Sequence, residues 1–191
     1  MSDRIDWVTS ELEKASAGVR DPFQGLSGEQ LNWKPSDGGW SIAQCLEHLI
    51  KTNEEFYGEF AKLQSGTRKN TFWQNYSPFT GWGGRFLIKT VSEDSKKVKA
   101  PSKKIVPASD VQDDIVDRFS AHIIDLVGKV KACSTADLKK TVVSSPFLSA
   151  FTYTLDDAYT VLVEHTKRHI RQAKRVAASE GFPASVRVSA V

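Results

Sequence analysis

The 191-residue chain is 40% apolar and 26% charged, with a mean hydropathy of −0.35, which suits one globular domain with a sizeable core and excludes a disordered or fibrous class. No apolar run approaches the roughly 18 residues of a membrane-spanning helix, and the amphipathic start "MSDRIDWVTSELEKA" lacks the apolar segment of a secretory signal. A net charge of +3 is too small to point to nucleic acid, and no helix-turn-helix, zinc-finger or RNA-recognition signature supports that class.

The first helix is expected over Ile5–Val19, where Ile5, Val8, Leu12, Ala15 and Val19 keep a helical period. Residues 20–39, with two prolines and four glycines, read as a connection. A second helix is expected to run unbroken through "WSIAQCLEHLIKTNEEFYGEFAKL", capped by Ser41 with Gln44 completing a capping box. Its stripe of Ile42, Leu46, Leu49, Phe56 and Phe60 is interrupted by Asn53, an inward polar residue that needs a partner.

Residues 65–109 contain no obvious long element and read as an insertion in two parts. The aromatic part, 70–91, carries Trp73, Tyr76, Phe79 and Trp82 and a short helix near Arg85–Thr90. These rings either roof a pocket or form a loop packed on the body or on a second copy. The lysine-rich part that follows, through Ser109, reads as an exposed mobile stretch. A third helix is expected over Asp110–Ala132, with Val111, Ile115, Phe119, Ile123, Leu126 and Val130 inward. After a connection with an extended piece at Thr141–Ser144, the last helix runs over Leu155–Glu180 and stops at Gly181 and Pro183. Four long amphipathic helices and no strong strand alternation define an all-α four-helix bundle over residues 1–181, with long crossover connections and a C-terminal tail at 182–191. Cys45 and Cys133 form no paired-cysteine motif and imply no disulfide framework, so a cytoplasmic location is expected.

The last helix carries His165 and His169 four residues apart, on the seam Ala158, Leu162, His165, His169, Gln172 and Val176 that faces the core. Lys167, Arg168, Arg171, Lys174 and Arg175 fall largely on the solvated side. Inward imidazoles need partners. From this helix alone a metal and a polar or water network are equally good resolutions. His48, on the second helix, shares a stripe with Ser41, Cys45, Thr52 and Glu55. One histidine from that helix and two from the last would make a three-histidine site, which suits zinc, nickel or iron and leaves a coordination position open. Cys45, one turn before His48, reads as a buried apolar thiol rather than a fourth ligand. His122 stands apart and reads as a boundary residue.

"GGWSIAQCLEHLIKTNEEFY" and "LVEHTKRHIRQAKRV", introduced by "LSGEQLNWKP", resemble in order the motifs of the DinB-like superfamily. That resemblance implies a four-helix bundle holding a divalent metal through His48, His165 and His169, with zinc or nickel ahead of iron or manganese. It also implies an enzyme in which the metal activates a low-molecular-weight thiol for S-transfer, or water for hydrolysis, against an electrophilic small molecule. The catalytic species would then be the activated thiol or water, and no protein base is identified. Glu55 and Gln172 are candidates for the shell around the ligands. Homodimers are common in that superfamily, so one is expected here, with no nucleic-acid or membrane partner. The rival reading is a non-enzymatic stress-response bundle that binds a metal or small ligand without turnover.

Overall fold

A computed structural model describes residues 2–78, 80–92, 102–147 and 151–184. Its long helices are α1 (Ser2–Phe23), α3 (Ile42–Glu54), α7 (Ile115–Ala132) and α8 (Leu155–Ala177). α1 packs on α7 and α8, and α3 packs on the same two. α1 therefore sits across from α3, and α7 across from α8, so the connections between them cross the bundle and simple up-down order is not followed. The expected apolar stripes line the centre. Val8, Leu12, Val19, Ile42, Leu46, Leu49, Ile115, Phe119, Leu126 and Leu162 are all buried. Among the described residues no helix is long and apolar enough to cross a membrane.

Several elements depart from expectation. The second helix is two, α3 and α4 (Tyr57–Gln64), parted by a turn in which the Phe56 N–H donates to the Asn53 carbonyl. Phe56 and Phe60 remain buried on the same side, so the apolar stripe crosses the break and conceals it. The third helix begins at Ile115 rather than Asp110, because the Val111 backbone is held by Asn32: the side chain donates to the Val111 carbonyl at 2.8 Å and accepts from its N–H at 2.9 Å. Asn32 lies on the one-turn helix α2 (Gly28–Asn32). The last helix stops at Ala177. The extended piece is a strand, β1 (Val142–Ser144), paired antiparallel with β2 (Thr152–Thr154) in the register Val142 to Thr154. β2 runs directly into α8, where Thr154 caps the helix through the Asp157 N–H.

The aromatic part of the insertion holds two helices, α5 (Phe72–Tyr76) and α6 (Thr80–Ser92). α6 is twice the length expected, because "TGWGG" has poor helix propensity. The glycines serve close packing instead. A Cβ on Gly83 would lie 2.9 Å from the Thr152 carbonyl oxygen of β2, and one on Gly84 would lie 2.9 Å from Asp157 Cβ and run into that carboxylate. Gly83→Ala and Gly84→Ala are each expected to cost about 1–3 kcal/mol through overpacking. Gly81→Ala, whose Cβ would meet only Arg85 Nη1 at 3.8 Å, should be neutral or stabilising by up to about 1 kcal/mol. Urea unfolding of the three variants beside wild type tests this, and equal midpoints for all three would refute it. Phe72, Trp73, Tyr76 and Trp82 are exposed, and Phe79 lies outside the described residues.

The lysine-rich stretch is corrected in part. Residues 93–101 lie outside the described residues. Within 102–109 a 3₁₀ turn at Lys103–Ile105 buries Ile105 at 2% exposure and Pro107 is buried as well, while Lys103, Lys104, Val106, Ala108 and Ser109 are exposed as expected. This segment runs along α3 as a strap, with consequences for the site.

Candidate metal centre

The centre begins at the N-terminus of α3. Ser41 Oγ accepts from the Gln44 N–H at 3.1 Å and Gln44 Oε1 accepts from the Ser41 N–H at 3.2 Å, the expected capping box. This places the helix cap one residue after Trp40 and puts His48 about two turns beyond it. His48 is buried, at 4% exposure. α8 lies alongside α3 and presents His165 and His169 from successive turns, so the two helices bring three imidazoles together. Ring centroids are 5.2 Å apart for His48 and His165, 4.7 Å for His48 and His169, and 4.6 Å for His165 and His169. One nitrogen from each ring lies within 4.8 Å of the others. Trp40 covers the group, its ring 4.7 Å from His48 and stacked at 5.7 Å on His169.

The outward nitrogens define which lone pairs face inward. His48 Nδ1 lies 2.7 Å from the Ile105 carbonyl oxygen. A carbonyl only accepts, so Nδ1 carries the proton and Nε2 keeps its lone pair. His169 Nδ1 lies 3.0 Å from Gln172 Oε1, which by the same reasoning leaves its Nε2 free to act as a donor to a cation. That nitrogen is 3.1 Å from His165 Nε2, inside the roughly 4 Å that two zinc–nitrogen bonds of about 2.0–2.1 Å can span. Burial lowers the pKa of His48, and the neighbouring Arg168 and Lys51 lower it further against the raising effect of the Ile105 carbonyl. Burial, followed by the other two histidines, holds His165 well below the ordinary value. Both rings are therefore neutral near pH 7, the state in which imidazole can ligate. Three imidazole donors, two of them with an acceptor on the outer nitrogen, fit a borderline cation such as zinc or nickel and suit a hard oxygen-seeking cation poorly.

Gln172 stands where the sequence placed it, against a candidate ligand. Glu55 does not: it is the C-terminal cap of α3, and among the described residues no hydrogen bond or ion pair joins it to the histidines. Cys45 is fully buried one turn from His48 and outside the group, and burial pushes its thiol up to about 12. His122 is not a boundary residue. It is buried, its Nε2 is 3.3 Å from Asn53 Nδ2, its Nδ1 is 3.3 Å from the Tyr57 hydroxyl, and its ring stacks on Tyr57. The inward Asn53 and the leftover histidine thus partner each other. Sequence reasoning missed the Ile105 carbonyl, because a backbone group 57 residues from His48 has no signature in side-chain identity.

The family model of the DinB superfamily matches residues 11–173, and the chain belongs to that superfamily. Among solved structures it is similar in fold to YfiT from Bacillus subtilis, with a TM-score of 0.59 and 17% identity over 96% of this chain and 91% of that one. That protein is described as a probable metal-dependent hydrolase with an unusual four-helix bundle topology. No curated protein sequence matches.

Proposed function

We propose that this protein is a metal-dependent enzyme whose divalent cation, zinc or nickel, is held by His48, His165 and His169. The observation that carries the reading is the set of three converging imidazoles, His48 and His169 buried and His165 half-buried, with the outer nitrogens of His48 and His169 occupied by Ile105 and Gln172. Three protein ligands leave a position for a further molecule, as catalytic sites do and closed structural sites do not. When bound, such a cation supplies Lewis acidity that brings a thiol or water toward ionisation at neutral pH.

The chain's own residues favour a thiol as the nucleophile. The histidine group itself includes no carboxylate, which supports a nucleophile that ionises readily. A free thiol has a pKa of about 8.5 against about 15.7 for water, and so needs far less assistance. Trp40 shields one side of the imidazoles and keeps them dry, which strengthens every charge interaction there. The electrophile is a small molecule. Hydrolysis is the second reading, supported by the description of YfiT.

Zinc- or nickel-loaded protein incubated with low-molecular-weight thiols and a panel of electrophiles should consume free thiol in a His48-dependent reaction. Ester or amide cleavage without thiol loss would favour the hydrolytic reading instead. Stoichiometric metal with neither reaction would leave the binding bundle.

A further inference from the structure

Glu47 has no part in the centre as described and Gln44 only its capping role, yet both reach the strap that touches it. Gln44 Nε2 donates to the Ala108 carbonyl at 2.7 Å, and Glu47 Oε2 accepts from the Ala108 N–H at 2.6 Å. Lys51, paired with Glu47 at 3.3 Å, donates to the Val106 carbonyl at 3.2 Å. With His48 on the Ile105 carbonyl, positions 44, 47, 48 and 51 form one face of α3 laid along the backbone of 105–108. Pro107, buried between the two gripped peptides, has no N–H to offer and stiffens the connection. Beyond it Lys34 holds the Ser109 carbonyl at 3.0 Å, and Asn32 clamps Val111.

We propose that Glu47 and Gln44 are positioning residues: by gripping the Ala108 peptide they hold the Ile105 carbonyl against His48 Nδ1 and so keep the His48 Nε2 lone pair directed at His165 and His169. One acceptor selects the tautomer. If the strap loosens, the buried Nδ1–H loses its partner, the Nε2–H tautomer becomes competitive, and the donor set drops from three lone pairs to two. Gln44 serves twice, since its Oε1 closes the capping box while its Nε2 holds the strap. A single residue thus couples the start of α3 to the orientation of its ligand. The inference rests on the metal-centre reading for its consequence, though not for the clamp itself.

Two conservative variants separate reach from charge. Glu47→Gln retains an acceptor at the same distance and loses the charge, whereas Glu47→Asp retains the charge and falls short of Ala108. Long-range nitrogen–proton correlation spectra of metal-free protein read the His48 tautomer, and competition with a chromophoric chelator reads zinc affinity. Glu47→Gln should keep the Nδ1–H tautomer with affinity within about twofold of wild type, and Glu47→Asp should mix tautomers and bind about fivefold or more weakly, below the tenfold to hundredfold lost when a direct outer partner is removed. An Asp variant indistinguishable from wild type, or a Gln variant as weak as Asp, overturns the proposal. Should wild type itself bind no zinc, the metal reading fails, while the tautomer comparison still decides whether the clamp operates.

Discussion

Alanine at His165 or at His169 should leave a folded protein that purifies without stoichiometric metal, while His122→Ala retains one equivalent. The Nε2 atoms of His165 and His169 are 3.1 Å apart, and removing either ring leaves two imidazoles. Binding free energies of about 10–16 kcal/mol for four-ligand zinc sites correspond to about 3 kcal/mol per ligand, so one deletion should weaken binding by roughly a hundredfold or more. His48→Ala should behave alike. His122 lies in a separate buried cluster with Asn53 and Tyr57, and its loss costs stability there instead. Elemental mass spectrometry on protein made without a histidine tag, with circular dichroism confirming the helices, is the check. One equivalent of metal retained in His165→Ala or His169→Ala would remove the site assignment.

Residues that act through their own helix were legible, and residues that act across the chain were not. The apolar stripes of α1, α7 and α8 predicted three bundle helices because periodic burial is a local signal. The Ser41 box and the His165–His169 pair lie within single helical turns, so spacing alone placed them. Meeting His48 required two helices to pack, which patterning made reasonable and the DinB-like motifs made specific. The N-terminal half of α6 stayed hidden because its glycines argue against a helix, and Gly83 and Gly84 find their reason only in the backbone of β2 and the side chain of Asp157. The hold of α3 on the strap at 102–109 was missed because most of its side chains are exposed, as expected, and its bonds to the helix are made by backbone groups. The break between α3 and α4 escaped notice because Phe56 and Phe60 continue the stripe beyond it. Even Asn53, correctly read as needing a partner, could not name His122, which lies 69 residues along the chain.

That buried pair carries the second large prediction, an acid sensitivity traceable to one residue. Burial depresses His122 to about 4, against a smaller raising effect of Asp125 and with Lys129 lowering it further. Tyr57 on α4 and Asn53 on α3 complete its surroundings. An unfolded histidine titrates near 6.5, so between about pH 6.5 and pH 4 the unfolded chain binds the proton that the folded chain refuses. Stability therefore falls as pH drops through that window and is held fully only above it. The span of about 2.5 pKa units corresponds to about 3 kcal/mol. His122→Gln, which cannot titrate, should be less stable than wild type at pH 7 through lost stacking and packing. It should lose about 3 kcal/mol less than wild type between pH 7 and pH 4. His48 and His165 are also depressed, but they remain in both proteins and cancel in the difference. Urea unfolding of metal-free protein at both pH values measures it, and parallel losses in the two proteins would show that His122 is not held neutral by the fold.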